Sequence, residues 1–195
     1  MMQLLLSWSN INNNTPLFRD AENENLYYYE GKFNVGAIKL LEILGEWQPQ
    51  WGIKDGNFTN STILGGDPDG INVTTAGFYK LTVNVDEMTY TFTEIDASNA
   101  ATYTTIGLVG EGTSVGWPNE DNPTPDIELT KSTFNEHIWY AQNVTLTEGS
   151  IKFRAEKAWD VNWGAGTFPS GQGTFGGPDI PAMEGTYNVW FNDLT

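Results

Sequence analysis

The chain has 195 residues, and 25 acidic against 9 basic side chains leave it a net charge of −16 at pH 7. That balance repels phosphate backbones and anionic headgroups, so it argues against nucleic-acid binding and adsorption to membrane surfaces. There is no cysteine, which excludes disulfide scaffolds, thiolate metal sites and thiol catalysis.

In chain order, residues 1–6 carry an apolar run without a cationic start, too short for a signal peptide or a membrane span. The stretch 38–44 is dense in Leu and Ile. Its match to 151–154, set out below, predicts strand rather than helix. In 77–95, Tyr79, Leu81, Val83 and Val85 alternate with Phe78, Lys80, Thr82 and Asn84. Asp86-Glu87 then predicts a reversal into a strand where Met88, Tyr90 and Phe92 alternate with threonines. Residues 96–102 read as a linker. The 138–146 stretch puts Ile138, Tyr140, Gln142, Val144 and Leu146 on one face, and 151–154 is a further short strand. Gly, Asn, Asp and Pro clusters at 12–16, 55–60, 65–70, 119–126 and 164–178 separate these runs at intervals typical of all-β sandwiches. No stretch predicts more than one helical turn.

The chain is also written twice. Trp47-Gln-Pro-Gln-Trp51-Gly52 and Trp159-Asp-Val-Asn-Trp163-Gly164 share the form Trp, three residues, Trp, Gly. Trp8 matches Trp117, and Thr15-Pro16 matches Thr124-Pro125. Leu26-Tyr27-Tyr28 matches Ile138-Trp139-Tyr140, and Gly36-x-Ile38-Lys39 matches Gly149-x-Ile151-Lys152. Gly65-Gly66 matches Gly176-Gly177, and the strand from Gly77 to Asn84 matches that from Gly185 to Asn192. A period of roughly 110 residues is that of one small domain. The expectation is an all-β chain of two tandem immunoglobulin-like β-sandwich domains, 1–97 and 102–195. Residues 103–109 find no counterpart before Met1, and 88–95 none after Thr195. The first domain is thus expected to lack its opening strand and the second its closing strand, as in a piece cut from a longer polypeptide. Unpaired edges would invite strand exchange or end-to-end association of chains.

Catalysis finds no support in these residues. Asp160 lies inside the second Trp phrase, but Gln48 stands in the first, so a carboxylate pair for glycoside hydrolysis is not repeated. The single histidine, His137, reads as a solvated turn residue. Asp67-Pro-Asp69-Gly70 and Asn119-Glu-Asp-Asn122 read as acidic turns without the spacing of a calcium loop. No metal or cofactor is expected.

Tryptophan is what repeats. Trp139 and Trp190 lie on strands and pack or shield a sheet face. Trp8, Trp47, Trp51, Trp117, Trp159 and Trp163 sit beside Gly, Pro, Asn and Asp, in or next to loops. An indole in a polar loop either covers a core edge or stands as an exposed platform. Spacing leaves open which member of each pair does which. A platform suits a sugar, whose axial C–H faces are apolar while its rim hydroxyls need donors and acceptors. The second copy offers Lys152, Arg154, Asp160 and Asn162 for that rim, with Lys152 and Arg154 on one side of a strand. The first offers Lys39, Gln48 and Gln50. The reading is a non-catalytic carbohydrate-binding pair at Trp159, Trp163, Lys152, Arg154, Asn162, Asp160, Trp117, Trp47, Trp51 and Lys39, weighted to the second copy. The alternatives are an accessory region of a secreted glycosidase and a structural or adhesive array in which the Trp pairs only pack.

Ile151-Lys-Phe-Arg-Ala-Glu-Lys-Ala-Trp-Asp-Val-Asn-Trp-Gly164 resembles the "KFR…W…NYG" signature of the SusE/SusF-like starch-binding lipoproteins of the Bacteroidetes outer membrane, with Trp163 in place of the usual Tyr. Ile106-Gly-Leu-Val-Gly-Glu-Gly-Thr-Ser-Val-Gly-Trp117 resembles the opening strand and "GW" turn of the same domains. The resemblance covers nearly all of 103–195 and, more loosely, 8–95. It implies cell-surface sandwiches that hold an α-glucan for outer-membrane import partners. The first copy departs from the signature: Lys39-Leu-Leu-Glu42 lacks the Arg, and Gln50 stands where the Asn would be.

Overall fold

The computed structural model describes residues 2–5, 9–10, 14–121 and 123–194; Trp8 lies outside them. The chain divides into two compact units, Met1–Ser98 and Asn99–Thr195.

The first unit contains β1 (Gln3–Leu5), β2 (Asn14–Pro16), β3 (Phe18–Arg19), β4 (Leu26–Phe33), β5 (Gly36–Leu41), β6 (Gln50–Lys54) and β7 (Asn57–Asn60). A single helical turn, α1 (Ser61–Leu64), precedes β8 (Ile71–Val73), β9 (Gly77–Asn84) and β10 (Thr89–Glu94). One sheet runs β2-β1-β5-β6-β7 with β8 also on β5, and the other runs β10-β9-β4-β3. The second unit contains β11 (Ile106–Val109), β12 (Ile127–Glu128), β13 (Thr130–Lys131), β14 (Ile138–Leu146) and β15 (Gly149–Ala155). It continues with β16 (Asn162–Gly164), β17 (Thr174–Phe175), β18 (Ile180–Ala182) and β19 (Gly185–Asn192). Its sheets run β12-β11-β15-β16-β17, with β18 on β15, and β13-β14-β19. Each unit is a β-sandwich.

Alternation builds the cores. On β9, Tyr79, Leu81 and Val83 are buried while their neighbours are half-exposed. In the second unit, Phe153 of β15 stacks on Phe191 of β19 at 4.4 Å, so the two sheets meet face to face. Trp139, Leu108, Ile106 and Leu146 fill the same core.

Strand register aligns the copies residue by residue. Trp51 stands opposite Leu40, and Trp163 opposite Phe153. Lys39 therefore corresponds to Lys152, Leu41 to Arg154, and Gln50 to Asn162. The glycine after each buried Trp has a steric role. A Cβ on Gly52 would fall 2.1 Å from the Asp69 carbonyl oxygen, and one on Gly164 1.9 Å from that of Pro178. The next loop packs directly on the backbone at both places.

Four expectations are corrected. The first unit does have an opening strand: β1 pairs with β5 through Leu4 and Leu40 as β11 pairs with β15 through Leu108 and Phe153. No described strand of the second unit corresponds to β10. The Thr-Pro match is displaced by three residues, since Thr15 faces Leu4 where Ile127 faces Leu108. On β14 the alternation breaks at a bulge between Ala141 and Val144, where Asn143 takes φ 55°. Trp139 therefore points into the core, while Tyr140 stacks on Trp190 at 5.1 Å.

Finally, His137 is buried rather than solvated, its Nδ1 2.6 Å from Asp193 Oδ1, while Trp139 Nε1 donates to Asp193 Oδ2 at 2.8 Å. A buried carboxylate is tolerated when its oxygens are hydrogen-bonded, and these two partners meet that need.

Gly164→Ala is expected to destabilise the second unit by about 1–3 kcal/mol through overpacking against Pro178. A Cβ on Gly66 meets nothing within 4 Å, so Gly66→Ala is expected to change stability by about 0.5 kcal/mol or less. Calorimetric melting compares the two; equal losses would contradict the close approach at Gly164.

Candidate functional site

The two members of each Trp phrase have opposite fates, and the copies agree on which is which. Trp51 and Trp163 lie on strands and are each 5% exposed. Trp47 and Trp159 precede those strands and are 41% and 40% exposed. Trp51 stacks on Phe58 at 5.2 Å and donates its Nε1 proton to Glu42 Oε1 at 2.8 Å. Trp163 packs against Phe191 at 5.1 Å and meets the edge of Tyr103 at 5.3 Å. Burial pushes the Tyr103 phenol up, with the Asp193 carboxylate adding to the shift. Its folded value being raised, the associated stability is complete below about pH 10 and lost as pH rises beyond it.

Trp159 is exposed yet held from several sides. Its Nε1 donates to the Pro118 carbonyl at 3.1 Å, and the Trp117 ring lies at 6.0 Å, inclined by 43°. The Arg154 guanidinium carbon sits 4.9 Å from the Trp159 ring centroid, within cation–π range. Arg154 is in turn buried and bonded twice to Asp126, Nε to Oδ2 at 3.0 Å and Nη2 to Oδ1 at 2.6 Å. The backbone is secured as well. Asn162 Nδ2 donates to the Trp159 carbonyl at 2.9 Å, and Lys152 Nζ donates to Asn162 Oδ1 at 3.0 Å. Asp179 lies 3.7 Å from that ammonium. Upstream, Glu156 and Lys157 both take left-handed φ, 54° and 56°, at a cost of roughly 1–2 kcal/mol each. Such a turn persists only where surrounding contacts impose it.

Of the residues expected from sequence, the structure brings Trp159, Trp117, Arg154, Lys152 and Asn162 into one assembly. Asp160 is exposed beside it. Arg154 does not stand at the rim as a free donor, because its guanidinium is spent on Asp126 beneath the indole. Trp163, Trp51 and Lys39 are buried. Two contributors escaped the sequence, Asp126 and the Pro118 carbonyl. Asp126 lies 28 residues from Arg154 in the chain, and only the β11–β12 pairing brings it near. A buried arginine does call for a counter-ion, but many carboxylates could have supplied it.

In the first unit, Lys39 Nζ reaches Gln50 Oε1 at 2.6 Å, repeating the Lys152–Asn162 bond. The brace is absent, because Leu41 occupies the place of Arg154 and Asn14 that of Asp126. Among the described residues, no group of three or more His, Cys, Asp or Glu side chains is placed to hold a metal ion. No described helix is long and apolar enough to cross a membrane.

No protein-family model matches the chain, and no curated protein matches it. Among solved structures the chain is similar to the crystal structure of SusF from Bacteroides thetaiotaomicron, with 12% identity and a TM-score of 0.37. The match covers 98% of this chain and 43% of that one, so the chain spans less than half its length. A superposition this weak carries no functional weight.

Asp126→Ala strands a buried guanidinium and is expected to cost the second unit about 3–5 kcal/mol. Trp163→Ala is expected to cost about as much through its cavity, whereas Trp47→Ala stays near zero. Denaturant unfolding measures all three; an unchanged midpoint for Asp126→Ala would mean the pair does not hold Arg154.

Proposed function

We propose that the second unit binds a neutral polysaccharide on the Trp159–Trp117 surface, without catalysing a reaction on it. The observation that carries this reading is an indole 40% exposed and yet fixed by an N–H bond, a neighbouring ring, a cation beneath and a bonded carbonyl. A side chain that only covered a core edge would not remain so open. A preformed surface loses little conformational freedom on binding, which favours a ligand that is itself flexible. Sugar C–H faces lie against aromatic rings, and Asp160 is exposed at the rim for hydroxyl contacts.

The inclination of 43° between Trp117 and Trp159 makes the surface bent rather than flat. It follows the curvature of an α-(1→4)-glucan better than the flat ribbon of a β-(1→4)-glucan. The resemblance of 151–164 to the starch-binding lipoprotein signature supports the same ligand, and with it a place on the cell surface beside a glycan-import system. A single shallow stacking site gives a Kd between about millimolar and micromolar.

In native affinity gels containing long linear amylose, the wild type is expected to be retarded and Trp159→Ala to migrate as in a sugar-free gel. Retardation of Trp159→Ala equal to that of the wild type would refute the assignment.

A further inference from the structure

The first unit keeps an exposed indole without the brace, and its neutral polar groups gather elsewhere. Gln48, Ser61, Thr62, Gly65 and Gly66 line a cleft of about 320 Å³ between the approach to β6 and the helical turn α1. That is the small end of the range for ligand clefts, ~300–1,000 Å³. Two bonds set its walls: Gln48 Nε2 donates to Asp67 Oδ1 at 2.7 Å, and the Gln50 backbone N–H donates to Ser61 Oγ at 3.1 Å. Gln48 keeps its amide carbonyl and a second N–H, and Ser61 keeps its own hydroxyl proton.

The glycine doublet distinguishes the units here. A Cβ on Gly65 or Gly66 would meet nothing within 4 Å, so the backbone there is bare and open. A Cβ on Gly177, the match of Gly66, would fall 2.3 Å from Thr174 Oγ1 and 2.6 Å from the Gly164 oxygen. Gly176, the match of Gly65, is as open as Gly65, so the difference lies at the second glycine, where the second unit has packed loop and the first has space.

We propose that this cleft is a second saccharide site, different in kind from the Trp159 surface, which takes a single terminal residue of a neutral saccharide. The proposal rests on the reading that the chain binds glycans. Neutral donors and acceptors at close spacing, with backbone exposed between them, match a ring bearing several hydroxyls. Among the described residues, the lining side chains are all neutral, with the Asp67 carboxylate behind Gln48. Glu46, Asp67 and Asp69 are exposed nearby in the chain and repel uronates and sulfated sugars. A cleft at the small end of that range suits one sugar ring better than a run of residues. A long linear glucan presents few ends for its mass, so this site adds little to retardation in an amylose gel.

Calorimetric titration of the full chain with maltose and maltoheptaose tests it. Trp159→Ala should still bind both sugars, with affinities within about twofold of each other, and Gly66→Val in that background should weaken both by about tenfold or more. Gly66 takes no left-handed φ and has room for a side chain, so the melting temperature should hold. The proposal is overturned if the wild type binds maltoheptaose but Trp159→Ala binds neither sugar, or if Gly66→Val leaves the residual binding unchanged. A wild type that binds neither sugar overturns the Trp159 reading and this one together.

Discussion

The second unit is organised around a charge it cannot leave alone. Arg154 lies on a central strand with its side chain 5% exposed, and Asp126 answers it with both oxygens at 1% exposure. Removing two ions from water costs several kcal/mol each, and only good geometry returns it. The pair meets that condition, and in doing so it fixes the segment before β12 against β15 and sets a rigid cation under Trp159. At the equivalent place the first unit has Leu41, fully buried, and Asn14. The amide of Asn14 finds no hydrogen-bond partner among the described residues. With the cation gone, the carboxylate has no task, and Trp47 has no charged pair beneath it as Trp159 has.

One phrase supplies two kinds of tryptophan because strand pairing takes hold only at its end. The second Trp enters the ladder opposite Leu40 or Phe153, so its ring joins the core. The glycine after it lets the following loop close over the strand. The first Trp lies before the ladder begins, where no sheet geometry directs it inward. Its use then depends on neighbours, which in the second unit are Pro118, Trp117 and Arg154.

Much of this was legible in the sequence. Period-2 alternation marked β9 and β10, and duplication converted the Leu-rich 38–44 stretch from a plausible helix into a strand, which β5 realises as far as Leu41. The asymmetry of the copies was legible too, since the Arg and Asn of one are Leu and Gln in the other. Pairing across distance was not. Short strands such as β1 and β12, two or three residues long, carry too little pattern to align, which is why the opening strand was missed and the Thr-Pro match slipped. His137 looked like a surface residue beside Asn135 and Glu136, and only Asp193, 56 residues away, explains its burial. The bulge at Asn143 puts Trp139 and Tyr140 out of phase with Val144 and Leu146, because one extra residue reverses the facing of one side of a strand relative to the other.

On the proposed reading Trp159 and Trp117 form the ligand surface, while Trp163 and Trp139 belong to the core. Indole N–H resonances of the 15N-labelled chain, assigned by single Trp→Phe variants, report each ring separately during titration with maltoheptaose. The Trp159 and Trp117 signals are expected to shift with sugar, and those of Trp163 and Trp139 to stay in place. Saturable shifts confined to the core pair, or none at Trp159 while binding occurs, would contradict that reading.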